Sequence, residues 1–118
     1  MEKVTAFGGV FFRARDPEAL STWYATHLGV DGPPWFQDGG PAVFAPFAAD
    51  TDYFGRPEQQ WMINFRVSDL NAMITQLEAA GIAVETRPDE WDSEVGRFAR
   101  IHDPEGNPIE LWEMPASL

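Results

Sequence analysis

Two stretches of the chain carry apolar residues at helical spacing, and each stretch begins directly after an aspartate. The apolar positions after Asp16 are Ala19, Leu20, Trp23, Tyr24 and Leu28. Those after Asp69 are Leu70, Met73, Ile74, Leu77 and Ala80. Aspartate caps helix N-termini, Pro17 suits a first turn, and Gly29 and Gly81 are typical helix ends. The pattern therefore predicts one helix after each aspartate.

Extended runs rich in aromatic and β-branched residues lie on both sides of these helical stretches. The composition of such runs is typical of strands. Two runs precede the helices, at 4–14 and 61–67, and five shorter runs follow them, at 35–37, 42–47, 83–86, 97–102 and 109–113. The sequence therefore predicts the order strand, helix, strands in each half of the chain.

The two halves also match residue by residue where the helices begin. Phe-Arg-Ala-Arg-Asp at 12–16 corresponds to Phe-Arg-Val-Ser-Asp at 65–69, which lies 53 residues further on. Neither copy could bury its sheet face alone, so the repeat predicts one pseudo-twofold α+β domain over 1–118. Its modules span about 1–55 and 56–118, joined through a turn-rich connector at 49–60. The stretch 87–96, acidic around Trp91, is interpreted as a solvated loop with one aromatic side chain tucked down, or as a cover over one mouth of the sheet.

Composition narrows the classes of function. Of 118 residues 44% are apolar, which is enough for a core and excludes global disorder. A net charge of −11 argues against a nucleic-acid partner. The absence of cysteine excludes disulfides, thiolate nucleophiles and cysteine-ligated zinc. The apolar N-terminal stretch is too short for a membrane span and lacks a signal-peptide cleavage site, so we expect a cytoplasmic protein without a membrane partner.

The hairpin at 102–111 permits a comparison with a known family. Its sequence His-Asp-Pro-Glu-Gly-Asn-Pro-Ile-Glu-Leu resembles the signature Asp-Pro-x-Gly-Asn-x-Ile-Glu-Leu near the end of vicinal oxygen chelate proteins. That superfamily includes glyoxalases, bleomycin-resistance proteins, fosfomycin-resistance proteins and extradiol dioxygenases. The residues Asp-Pro-Glu-Ala-Leu at 16–20, with Trp-Tyr at 23–24 and Leu-Gly at 28–29, are similar to its first helix. The resemblance implies two βαβββ modules that form a curved mixed sheet around a cavity, usually in a homodimer.

Metal-dependent relatives hold a divalent ion with one residue on the first strand and one on the last strand of each module. The matching positions here are Gly9, Met62, Glu110 and a residue near Val43 or Phe44. Glycine has no side-chain donor, and a thioether prefers soft ions. The first-strand ligand is typically His and the last-strand ligand typically Glu in those relatives, and only Glu110 matches. We therefore expect no standard metal site and no cofactor. A divalent ion held by Glu110 and unorthodox ligands is the alternative.

Strand alternation predicts which side chains face the cavity, because facing positions recur every two residues. If His102 lies opposite Pro108, then Arg100 lies opposite Glu110, and their charges are expected to pair. Ala99, Ile101, Ile109 and Leu111 would then face the helices. The predicted ligand-binding residues are Phe11, Arg13, Met62, Asn64, Arg66, Phe98, Arg100 and Trp112.

Several of these residues permit two interpretations. Glu110 is either an ion-paired wall residue or a metal ligand, and His102 is either a turn residue or a ligand or general base beside Glu110; these two are the catalytic candidates. Arg13 and Arg66 either extend along the sheet edge or capture an anionic or carbonyl-bearing ligand.

Three functions follow from the resemblance and the residues. The first is a small-molecule-binding protein of the bleomycin-resistance kind, which the missing ligand positions and the many aromatic residues favour. The second is a metal-dependent enzyme, a glyoxalase-like lyase or isomerase or a dioxygenase, that uses Glu110. The third is an accessory dimeric module with a vestigial cavity. Fold alone does not decide among them.

Overall fold

Both predicted helices begin where the aspartates place them. The computed structural model describes residues 1–4, 6–32 and 34–116. Helix α1 spans Pro17–Leu28, and the Asp16 carboxylate accepts a hydrogen bond from the backbone N–H of Ala19 at 3.1 Å. Helix α2 spans Leu70–Ala79, and Asp69 caps it in the same way. Gly29 ends α1 in the left-handed conformation, with φ 71°. The capping residues in the sequence therefore fix both helices.

The second half of the chain forms a three-stranded sheet. Strand β1 spans Ile63–Arg66, β2 spans Arg97–His102 and β3 spans Pro108–Glu113. Strand β3 lies in the middle, parallel to β1 and antiparallel to β2. Two backbone hydrogen bonds join Glu85 to Arg100 at the outer edge of β2, and the short helix α3, Pro88–Trp91, follows that bridge. These strand positions agree with three of the predicted runs.

The first half differs from the prediction. Among its described residues the chain has helix α1 and no strand, so the runs at 4–14, 35–37 and 42–47 are not strands here. The run at 83–86 is reduced to the bridge at Glu85. Glycine pairs at 8–9 and 39–40 and prolines at 41 and 46 weaken these segments as strands. Strand-like composition also does not supply the backbone partner that a strand needs.

The core lies between the sheet and the two long helices. Leu20 and Tyr24 of α1 and Leu70 and Leu77 of α2 pack against one sheet face. The buried strand residues on that face are Ala99, Ile101, Ile109 and Leu111. These four are the residues that alternation predicts on the helix side. The opposite sheet face is therefore free to carry the polar and aromatic side chains of the strands.

The hairpin turn at 103–107 anchors helix α1. The Glu105 carboxylate accepts hydrogen bonds from the backbone N–H groups of Arg15 and Asp16, at 2.7 and 3.0 Å. The Tyr24 hydroxyl donates to Asp103 at 2.8 Å. A helix of the first half is thus fixed to a turn of the second half. None of the helices in the described ranges is both long and apolar enough to cross a membrane.

Candidate functional site

The face of the sheet opposite the core carries the side chains that the sequence assigns to a cavity. Arg100 pairs in register with Glu110, Phe98 with Trp112, and Asn64 of β1 also lies beside Glu110. This register confirms the pairing predicted from strand alternation. The Phe98 and Trp112 rings stack with their centroids 6.2 Å apart and their planes within 6°. One polar cluster and one aromatic pair therefore lie side by side on this face.

Glu110 is held by two neutral donors. The Tyr53 hydroxyl donates to Oε2, and the Asn64 amide donates to Oε1 at 2.7 Å. The expected ion pair with Arg100 is absent from the part of the chain that the structure describes, although the two residues are in register. The prediction of that pair is wrong because Tyr53 and Asn64 engage both carboxylate oxygens, while the Arg100 guanidinium lies on aromatic rings instead.

Arg100 lies in a corner formed by two aromatic side chains. Its Cζ is 4.6 Å from the Tyr53 ring centroid and 5.3 Å from that of Trp91. The two rings meet nearly edge to face, 6.3 Å apart. A guanidinium over an aromatic face is attracted by the ring quadrupole, by about 0.5–2 kcal/mol depending on desolvation. Nε and Nη2 of Arg100 are buried and have no hydrogen-bond partner among the described residues.

Tyr53 comes from the connector and Trp91 from helix α3, so the corner is built by segments outside the sheet. The Tyr53 ring stacks on Phe47, with centroids 5.7 Å apart. Burial, together with the hydrogen bond and negative charge of Glu110, raises the pKa of Tyr53 to about 12. The hydroxyl therefore stays protonated at neutral pH and donates to the carboxylate.

A cavity of about 380 Å³ opens beside this corner. Its lining residues are Asp52, Tyr53, Gly55, Arg87, Glu90, Trp91 and Arg100. Arg87 is neutralised by Glu85 at 2.7 Å and by Glu90 at 3.5 Å. Arg87 also lies over the Trp91 ring, with its Cζ 5.3 Å from the centroid, so the two arginines of the lining differ in that Arg87 has carboxylate partners as well.

Most other predicted site residues lie away from this cavity. Phe11 is 98% exposed and Arg13 is also exposed, because the run that contains them is not a strand. Arg66 donates to the backbone carbonyls of Asp38 and Gly39, and Met62 is partly buried. Of the eight predicted ligand-binding residues, only Arg100 lines the cavity, and Asn64 contributes through Glu110.

The second catalytic candidate, His102, is not part of the cluster. It is exposed and pairs with Pro108 next to the hairpin turn. The pair Ile101–Ile109 lies between it and the pair Arg100–Glu110. No hydrogen bond joins it to Glu110 within the described residues. The structure therefore does not bring together the acid and base that the sequence paired.

Sequence reasoning missed Tyr53 and largely missed Trp91. Tyr53 lies in a connector with no periodic pattern, so its sequence position carried no signal. Trp91 was visible as an aromatic residue in an acidic stretch, and the interpretation as a cover over one end of the sheet agrees with its position beside Arg100. The interpretation as a solvated loop with one tucked-down ring does not include the contact between Trp91 and Arg100.

The comparison with known proteins fits this architecture. A family model described as a glyoxalase-like domain matches residues 9–112. The chain belongs to this glyoxalase-like family. It is thereby a member of the vicinal oxygen chelate superfamily, as the hairpin signature predicts. No curated protein shows significant sequence similarity to it.

Solved structures similar to this glyoxalase-like chain include two from Streptomyces sp. CB03234. One is TnmS3, an antibiotic-binding protein, at 26% identity over 95% of this chain and 100% of its own, with a TM-score of 0.58. The other is a glyoxalase/bleomycin resistance protein, at 28% identity over 82% and 90%, with a TM-score of 0.50. A protein from the mobile metagenome of V. Pseudocholerae shares the fold at 16% identity, with a TM-score of 0.63 over 96% and 97%.

The residues of this glyoxalase-like domain do not fit the divalent metal that metal-dependent relatives bind. Each Glu110 oxygen accepts a hydrogen bond, from the Tyr53 hydroxyl or the Asn64 amide, so the groups beside it are donors and not further acidic ligands. Gly9 and Met62 stand at two other ligand positions and offer no hard donor. Within residues 1–4, 6–32 and 34–116, no three His, Asp or Glu side chains converge on one point.

Proposed function

We propose that this glyoxalase-like protein binds a small organic molecule in the cavity beside Tyr53, Trp91 and Arg100, and that binding rather than metal-dependent catalysis is its function. The observation that carries the proposal is the aromatic corner around Arg100, which opens into a cavity of about 380 Å³. Ligand pockets of this size combine aromatic walls with a few oriented polar groups.

The structural neighbours support the same class of function. TnmS3 is an antibiotic-binding protein, and at 26% identity it covers nearly all of this chain. The unsuitable donor set around Glu110 argues against the metal-dependent alternative, because a hard divalent ion needs several oxygen or nitrogen ligands. A small-molecule ligand also agrees with the net charge of −11, which disfavours nucleic acid. The cytoplasmic location stays a prediction.

A ligand screen tests the proposal. A compound present at about 100 times its dissociation constant stabilises the folded state by about 2.7 kcal/mol, which a thermal-shift assay detects. Binding should weaken in Trp91→Ala and persist in Trp35→Ala, because Trp35 lies outside the cavity lining. If hits bind both variants equally, the cavity is not the binding site. If added Mg²⁺, Mn²⁺ or Zn²⁺ stabilises the protein stoichiometrically, the metal-dependent function gains support instead.

We also propose that two copies of the chain pair through the first half. Large apolar side chains are exposed there in the described residues: Phe7, Val10, Phe11, Phe36, Val43 and Phe44. An exposed apolar set of this kind marks an association surface, and segments of strand-like sequence can obtain their missing backbone partners from a second copy. Light scattering at micromolar concentration should give twice the chain mass of 13.2 kDa. A monomer mass would contradict the pairing.

A further inference from the structure

Arg100 is the cation of the cavity lining that forms no ion pair with a carboxylate among the described residues. Each nearby acidic side chain is engaged elsewhere or exposed to solvent. Glu110 binds Tyr53 and Asn64, and Glu90 binds Arg87. Asp52 is an exposed residue of the lining and forms no ion pair with Arg100 within the described residues. The guanidinium therefore lies beside the cavity without a direct ion pair to any of the described residues.

The aromatic corner stabilises this charge only in part. Aromatic faces attract the cation, but they do not replace hydrogen bonds to its N–H groups. Nε and Nη2 are buried and have no hydrogen-bond partner among the described residues, so no acceptor offsets the desolvation of these two groups. An anionic oxygen that approaches the guanidinium from the cavity would supply an opposite charge, and this attraction would strengthen binding of the ligand.

A carboxylate is the anion that fits best. It forms short, charge-assisted hydrogen bonds with a guanidinium, and it carries a single negative charge. A doubly charged phosphate would meet more repulsion from Asp52 and Glu90, which line the same cavity. The rings of Tyr53 and Trp91 favour a planar group attached to the carboxylate, because aromatic rings pack edge to face or offset against one another.

We infer that the cavity selects a small, planar, singly charged carboxylate, with the carboxylate on Arg100 and the planar group against Tyr53 and Trp91. This inference rests on the proposed small-molecule-binding function and specifies the ligand class. It assigns Arg100 as the residue that determines specificity for anionic over neutral ligands. Glu110 supports this arrangement by holding the Tyr53 ring against Arg100 through the Tyr53 hydroxyl.

Benzoate and benzamide test the inference as a matched pair, because they share size and shape and differ in charge. Titration calorimetry should show that the wild-type protein binds benzoate more tightly than benzamide by roughly tenfold to hundredfold, the range typical of a hydrogen bond to a charged group. Arg100→Gln should abolish this preference. Arg87→Gln is the control and should keep the preference for benzoate. Arg87 lines the same cavity, but it already has carboxylate partners.

The outcomes distinguish a failure of the carboxylate assignment from a failure of the proposed small-molecule binding. Equal binding of benzoate and benzamide by the wild-type protein would overturn the carboxylate assignment and leave a cavity that binds small aromatic molecules. Binding of neither compound at millimolar concentration would count against both. A preference for benzoate that survives Arg100→Gln but is lost in Arg87→Gln would move the anion site to Arg87. Shifts of the Trp91 indole resonance in the wild-type protein locate the ligand without any variant.

Discussion

Replacing Tyr24 by phenylalanine removes one hydroxyl from the contact between helix α1 and the hairpin turn. Tyr24 is buried, and its hydroxyl donates at 2.8 Å to Asp103, which is only 4% exposed. Asp103 also accepts hydrogen bonds from the backbone N–H groups of Glu105 and Asn107 and from the Asn107 side chain, at 2.8 to 3.0 Å. Phenylalanine fills nearly the same volume, so the variant tests the hydrogen bond rather than the packing.

The expected cost follows from the charge of the acceptor. Hydrogen bonds to charged groups contribute about 1.5–3 kcal/mol, and we expect the lower end because three donors to Asp103 remain. A loss of about 1.5 kcal/mol, with an m-value of about 1.5 kcal/mol/M, lowers the urea midpoint by about 1 M. Urea unfolding followed by circular dichroism measures it. An unchanged midpoint at pH 7 would refute the argument that this bond fixes α1 to the turn.

The same bond predicts a dependence on alkaline pH. Burial, the hydrogen bond to Asp103 and the charge of Asp103 all raise the pKa of Tyr24 above its ordinary value of 10.0. A raised pKa means that the folded state retains the proton more tightly than the unfolded chain. Its contribution to stability is therefore complete below about pH 10 and decreases above it. The stability difference between wild type and Tyr24→Phe should shrink above pH 10. The chain has two tyrosines, so in Tyr24→Phe the tyrosinate absorbance reports Tyr53 alone and should appear near pH 12.

Substitutions at Gly96 and Asp69, each with a control variant, test a turn and a helix cap. Gly96→Ala should destabilise the fold by about 2 kcal/mol or more, because φ is 142° and the new Cβ would collide with the Trp112 indole and lie 2.5 Å from a backbone oxygen. The control is Gly8→Ala, where nothing lies within 4 Å of the new Cβ. This control should leave the midpoint of the same urea assay nearly unchanged. Asp69→Ala should cost about 1 kcal/mol by removing the cap of α2, and Asp69→Asn should restore most of it. Equal midpoints for Ala and Asn would show that the cap is not responsible.

The elements predicted well from sequence are those whose signals are local. Asp16 and Asp69 cap the helices through their own side chains three residues away, so spacing along the chain suffices. The hairpin is similar, since its turn fixes the register that places Arg100 opposite Glu110. The first-half strands carried a comparable pattern, yet the structure has none among the described residues there. Strand formation depends on a partner distant in sequence, and composition does not encode that partner.

The site escaped prediction for a related reason. Alternation correctly placed Arg100 and Glu110 on one face, but whether they pair depends on which other side chains reach them. Tyr53 arrives from an aperiodic connector 57 residues before Glu110, and Trp91 arrives from a helix of four residues. Tyr53 engages the carboxylate and, with Trp91, shelters the guanidinium. Glu110 and Arg100 therefore form no direct ion pair within the described residues, although they are neighbours in the sheet. In this fold the sheet supplies the charged groups, and the segments that cover it determine which contacts those groups make.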